Sequence, residues 1–193
     1  MGQSSSKGRS RRSETYKPDV EVVECLWFPD EKLPCRNWVL DGTCHRRHCN
    51  FAHVETSLSR FLQQFKTANK SIDIALYTIT CNEISAAILD CHKRGVEVRI
   101  VTDDNQIRTA GSDILSLHAA GIPVRHDNSV VYHMHHKFAV FDKQVVATGS
   151  LNWTRQAVLH NQENMVILRG AAVAKQFEAE FERLWQRFRD NRL

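Results

Sequence analysis

The spacing of apolar positions lays out the elements before any chemistry is considered. Residues 20–28, VEVVECLWF, are β-branched and aromatic and stop at Pro29-Asp30, which predicts a strand. Leu58, Phe61, Leu62 and Phe65 recur at the period of a helix face. SIDIALYTI (71–79) and VEVRIVT (96–102) are short apolar runs of the kind found in covered strands. Between them Asn82 can cap a helix that carries Ile84, Ile88 and Cys91 and ends at Gly95. Ser112 can cap a shorter helix with Ile114 and Leu117, stopped by Gly121, and IPVRH (122–126) follows as a strand. NMVIL (164–168) is a further strand, and Val173, Phe177, Phe181, Leu184 and Phe188 share one face of a closing helix.

Strands alternating with helices predict an α/β fold with a mainly parallel or mixed sheet and helices on both faces. Four other stretches complete the organisation. A basic arm covers 1–18, the first strand lies within 19–34, a Cys/His-rich insert occupies 35–54, and a short tail follows the main domain (55–188) at 189–193.

Composition changes this picture only at the N-terminus. The net charge of +4 comes from the arm, where five basic side chains face one acid, and the rest of the chain is balanced. The basic balance therefore does not by itself make the body a nucleic-acid binder. The arm lacks aliphatic residues and is read as disordered. Its start, MGQSSSK, fits the N-myristoylation pattern at Gly2, and KGRSRR supplies the basic segment that a single acyl chain needs to hold a membrane surface. No run of about 18 apolar residues is present, so no spanning helix is expected. Without an apolar signal peptide, the six cysteines are read as thiols or metal ligands rather than disulfides. Cys25, Cys81 and Cys91 are assigned to buried apolar packing.

Cys35, Cys44, Cys49 and His53 are spaced C-x8-C-x4-C-x3-H. Three thiolates and one imidazole make a tetrahedral zinc set, and nineteen residues are too few to fold on a core of their own. With Trp38, Gly42 and Phe51 at their places, the insert resembles the CCCH zinc-finger family, which implies structural zinc and contact with single-stranded RNA. Trp38 and Phe51 are then candidate base platforms, and Arg36, Arg46 and Arg47 candidate phosphate contacts.

The densest chemistry lies in HMHHKFAVFDKQVVATGSLNWT (133–154). In an extended segment His133, His135 and Lys137 share one face and His136 points away. An imidazole beside an ammonium suits an anionic substrate. Lys137 can neutralise phosphate oxygens, an imidazole nitrogen can attack phosphorus, and Ser150 and Asn152 can donate to the same oxygens. Glu163 is a candidate to accept the proton on the far imidazole nitrogen. Spacing alone does not separate His133 from His135 as nucleophile. Asp103 and Asp104 are read as loop carboxylates, and loss of Asp103 is expected to leave the reaction intact.

His135-x-Lys137, four residues, Asp142, six residues, Gly149-Ser150-x-Asn152 resembles the HKD motif of the phospholipase D superfamily, with Glu163-Asn164 fitting its downstream acid. The resemblance covers 55 to about 188. It implies His135 as nucleophile, Asp142 as a motif residue that orients its neighbours, and catalysis without a metal. A single motif per chain implies a homodimer with both copies of His135 at the two-fold axis, the second supplying the acid. The zinc-binding insert makes the chain similar to the Zucchini/mitochondrial phospholipase D group. That resemblance implies a single-strand endoribonuclease of the piRNA-biogenesis type, or a phospholipase D that converts cardiolipin to phosphatidic acid. It also implies association with the cytosolic face of a membrane, the mitochondrial outer membrane in that group. The finger, and the lack of an obvious apolar lid, favour RNA. A non-catalytic RNA-binding adaptor is the remaining alternative.

Overall fold

The computed structural model describes residues 20–193. Gly2 and the basic arm, with the lipidation and membrane-surface expectations they carry, lie outside the described residues. Seven strands form one sheet: β1 (Glu21–Phe28), β2 (Ser71–Leu76), β3 (Glu97–Thr102), β4 (Val124–His126), β5 (Lys137–Phe141), β6 (Val145–Gly149) and β7 (Glu163–Arg169). Their order across the sheet is β1-β7-β6-β5-β2-β3-β4. The helices are α1 (Arg36–Asp41), α2 (Ser57–Thr67), α3 (Asn82–Lys93), α4 (Asp104–Ile107), α5 (Ile114–Ala119), α6 (Arg155–Leu159) and α7 (Ala171–Arg187).

The α/β class with a mixed sheet agrees with the sequence, but parallel pairing is confined to β2, β3 and β4. The rest is antiparallel; β5 and β6, for example, are joined by only three residues, Asp142, Lys143 and Gln144, the first two at positive φ (51° and 58°). Such a turn closes a hairpin and cannot make a parallel crossover.

Both faces of the sheet are covered. Ile72, Ile74, Leu76, Ile100, Ala139, Phe141 and Ala147 point to one side and meet α2, α3, α5 and α6 in the larger core. Ala75, Val101, Phe138, Val140 and Val146 point to the other and meet Ala174, Phe181, Leu184 and Trp185 of α7. Arg99 fastens α7 to the sheet, with its guanidinium 2.8 and 3.0 Å from the Asp73 carboxylate, 3.0 Å from Glu182 and stacked over Phe181 and Trp185.

Local start signals differ from expectation in two places. Asn82 is the first helical residue of α3 rather than its cap, and Asp113, not Ser112, precedes α5. Helix α2 is closed by a capping box from Thr56 and Ser59, and Asp30 accepts from the Ser57 and Leu58 amides. Cys81 and Cys91 are buried as expected, and burial pushes the Cys81 thiol up to about 12. Cys25 is not buried. It lies on the edge strand β1, where Leu26 and Phe28 take the inward positions and Cys25 and Trp27 face solvent. No helix among the described residues is long and apolar enough to cross a membrane.

Candidate active site and metal centre

Lys137 opens β5 opposite Leu76, the last residue of β2, and Gly149 closes β6 opposite Met165. The motif therefore gathers at one edge of the sheet, where β2, β3 and β6 end and β5 and β7 begin. His133–His136 are not in a strand, yet they are extended enough to alternate. His133 Nδ1 lies 2.8 Å from Asp103, Lys137 Nζ lies 3.2 Å from His135 Nδ1, and His136 turns to the other side, 3.2 Å from Glu180 of α7. Tyr77, just beyond β2, walls the site, with its ring centroid 4.6 Å from His135 and 5.7 Å from His133.

Electrostatics prepare these groups differently. Partial burial, then the charges of Lys137 and His133, hold His135 below the ordinary histidine value, which favours the uncharged ring. Burial also lowers Lys137, while the Glu163 carboxylate opposes the shift.

The loop after β6 is fixed from below. Trp153 is fully buried among Phe61 and Phe65, and its carbonyl accepts from the Thr80 and Cys81 amides. Gly149 is required by contact, since a Cβ there would sit 2.8 Å from Met165 Cα and still closer to the Asn164 carbonyl. Ser150 Oγ donates to Glu163 and accepts from the Asn164 amide, and Asn161 Nδ2 donates to Glu163 at 3.2 Å. Glu163 thus holds Ser150 and Asn161. Among the described residues it makes no hydrogen bond to His135. Asn152 is half-buried on the same turn, and its Oδ1 has no partner.

Asp142 is not brought to the site. It lies in the hairpin turn at the other end of β5, where its carboxylate accepts from the amides of Asn69, Lys70 and Ser71 at 2.7–3.2 Å. Burial alone would raise it, but the three amides more than offset that and hold it below the usual carboxylate range. Its role is to tie the β5–β6 turn to the α2–β2 connection.

Asp103 also departs from expectation. It is fully buried, caps α4 through the Asn105 amide and bonds His133, so it is built into the site rather than left on a loop. Asp127 has a similar task, accepting from the Asp104 and Met134 amides and pinning the histidine segment. Sequence reasoning missed Tyr77, Asp127 and the α7 residues. The signal available for Tyr77 and Asp103 was their place immediately after strand ends, where sites in α/β sheets collect.

Two open cavities meet at His135 and His136. One, of about 600 Å3, runs past Thr148, Gly149 and Ser150 to Gln176, Phe177 and Glu180. The other, of about 700 Å3, runs past Asn128, Ser129, Tyr132 and His133 to Arg183, Arg187 and Asn191.

The insert brings its four residues together. The ligand atoms of Cys35, Cys44, Cys49 and His53 lie within 4.8 Å of one another, and Cys35 and Cys49 Sγ are 3.7 Å apart. Thiolates bound to zinc at about 2.3 Å in a tetrahedron sit about 3.8 Å apart, so the geometry and the donor set fit that ion. Burial would raise the Cys35 thiol, but the Trp38 amide and the neighbouring Cys44, His53 and Cys49 bring it down to about 6. Backbone bonds from Cys35 to the Ala52 carbonyl and from Ala52 to the Leu33 carbonyl bring the two ends of the insert together. Of its expected RNA contacts, Arg36 is paired with Asp90 of α3 at 3.0 Å and Phe51 packs on the main core. Trp38 is half-buried, and Arg46 and Arg47 are exposed.

Comparison with known proteins agrees with this site. Residues 61–185 match the family described as "Cardiolipin synthase, PLD-like domain". A Chlamydomonas reinhardtii protein named mitochondrial cardiolipin hydrolase is 48% identical over 168 residues, covering 87% of this chain and 75% of the relative. The Xenopus tropicalis protein of that name is 44% identical over 167 residues, covering 86% and 78%. Among solved structures, Nuc from Salmonella typhimurium, a phospholipase D family member, superimposes with a TM-score of 0.62 at 29% identity, covering 68% of this chain and 88% of that one. Fold and site together define a hydrolase of phosphate esters, a phosphodiesterase. The chain belongs to the family of phospholipase D-like domains.

Proposed function

We propose that His135 is the nucleophile of a metal-independent phosphodiesterase and that the substrate is a membrane phospholipid diester of the cardiolipin type. The observation that carries the mechanism is the His135 ring 3.2 Å from Lys137 Nζ at the junction of two open cavities. The lone pair of His135 attacks phosphorus and forms a P–N bond. The P–O bond to the leaving arm breaks, and that oxygen takes a proton. Water then attacks phosphorus, gives its proton to a base, and the P–N bond breaks to release phosphatidic acid and free His135. Lys137 and the Asn152 amide stabilise the charge on the phosphoryl oxygens, and Ser150 is held in place by Glu163. The proton donor and base is His135 of a second chain, brought in across a two-fold axis.

The lipid reading draws on the relatives' name and on one surface feature. Val130, Val131 and Tyr132, on the segment leading into His133, are strongly exposed and suit the edge of a lipid surface. This is the apolar element that the sequence did not make evident. The relatives' name also carries the mitochondrial membrane as the proposed location. Single-stranded RNA is the second reading, supported by exposed Arg46 and Arg47 on the insert. In either case Cys35, Cys44, Cys49 and His53 would hold zinc, which supplies a cross-link that keeps the insert folded and takes no part in the reaction.

The test offers cardiolipin vesicles and single-stranded RNA to the zinc-loaded protein in EDTA. The expected result is phosphatidic acid from the vesicles, abolished in His135→Ala. Cleavage of RNA with no lipid turnover would reverse the ranking, and activity that EDTA removes while the insert keeps its zinc would contradict metal independence.

A further inference from the structure

A phosphodiester has two arms, and two cavities leave His135 in different directions. They are not alike. The larger one is lined on one side by residues 127–134 and on the other by the last turns of α7, and it presents His133, Tyr132, Ser129, Asn128 and Arg187. His133 is held there deliberately. Its Nδ1 is 2.8 Å from Asp103 Oδ2, and Asp103 is fully buried with its other oxygen accepting from the Asn105 amide. With both carboxylate oxygens engaged, Asp103 cannot swing, so it fixes the ring and leaves Nε2 as the edge for a ligand. The side chain of His133 is 49% exposed even though its anchor is completely buried. Asp127 secures the adjoining backbone through Met134, which is itself buried. Across the cavity Arg183 is spent on Glu180, at 2.7 and 2.8 Å, whereas Arg187 is exposed and has no ion pair among the described residues.

An imidazole whose Nδ1 is held by a carboxylate, lining the same cavity as an uncommitted guanidinium beside a phosphoryl-transfer site, is suited to receive a second anion. Resting on the reading of His135 as nucleophile, we propose that this cavity is a subsite for a second phosphate of the substrate, bound by His133 and Arg187. His133 and His135 lie against the same Tyr77 ring, so the two phosphates must be close. Both substrate classes meet that requirement by the same chemistry. In cardiolipin the phosphates are separated by the three carbons of the central glycerol, and in RNA by the three carbons C5′, C4′ and C3′. The subsite therefore reads a pair of phosphates on a three-carbon bridge, and the second one leaves with the departing arm. A merely structural role for the Asp103–His133 pair would affect folding but not discrimination between one phosphate and two.

The experiment compares kcat/KM for substrates with one and two phosphates. The lipid arm uses phosphatidylglycerol and cardiolipin in vesicles of equal total anionic charge. The RNA arm uses UpU and UpUpU. The wild-type protein is expected to prefer the two-phosphate member of at least one pair by about 10-fold or more, the scale of a charged hydrogen bond. In His133→Asn and in Arg187→Gln that ratio should fall towards one, and the pair that shows the effect identifies the source. Cleavage of both members at equal rates by wild type, or variants that keep the wild-type ratio, would overturn the subsite. Cleavage that survives in His135→Ala would overturn the reading of the nucleophile instead.

Discussion

At the scale of single residues, the aspartates separate by what they face. Asp142 belongs to the linear motif with His135 and Lys137, yet it sits at the far end of β5 and accepts from three amides of the α2–β2 connection. Its contribution is to folding. Asp142→Ala is expected to lower stability by about 1–2 kcal/mol at neutral pH, the cost of unpaired amides that water partly satisfies. The sign of the pH dependence follows from its depressed value. The stability that Asp142 supplies is complete above the unfolded aspartate value of about 3.9 and is lost as pH falls through the lower folded value. The gap in urea midpoint between wild type and variant should therefore be wider at pH 7 than at pH 2. A gap that persists unchanged in acid would sink this assignment. Asp103, by contrast, has no motif to advertise it, and only the fold shows that its carboxylate meets His133.

The elements show which parts were legible beforehand. Helix α2, the strands β2 and β3, and α7 follow directly from apolar periodicity, because each buries a face of its own. The histidine segment could be read by alternation although it is no strand, since Asp103, Asp127 and Tyr77 hold it extended. The antiparallel half of the sheet was harder to foresee. The three-residue connection Asp142-Lys143-Gln144 puts two residues at positive φ without the usual glycine, so the hairpin carries no strong local signal. The α7 residues that line both cavities were also hidden, because only packing against β5 and β6 brings them to the site. One prediction belongs to this scale. Gly149 ends β6 in contact with the backbone of β7, so Gly149→Ala must push the strands apart where Ser150 and Asn152 are displayed. The expected cost is about 1–3 kcal/mol in stability, with a loss of activity measured on the fraction that remains folded. A wild-type melting temperature and rate would show that the contact is easily relieved.

The whole molecule joins a sheet sandwiched by helices to a Cys3His insert that docks on α3 through Arg36 and Asp90. The family was legible because its motif is linear in sequence; the substrate was not, because cavity shape and exposed segments arise only on folding. Each chain carries one His135, so the account requires two chains to complete a reaction. Adding excess His135→Ala chains to a fixed amount of wild type should depress the activity as mixed dimers form, and activity that stays constant would favour a self-sufficient chain. The central claim, however, is that His135 becomes covalently attached to phosphorus. The direct measurement is a rapid quench of the protein turning over substrate labelled on the phosphatidyl moiety, followed by peptide mapping. The account predicts an acid-labile, alkali-stable phosphoryl adduct on His135 that is absent from His135→Ala. An adduct on any other residue, or turnover with no adduct at any quench time, would contradict it.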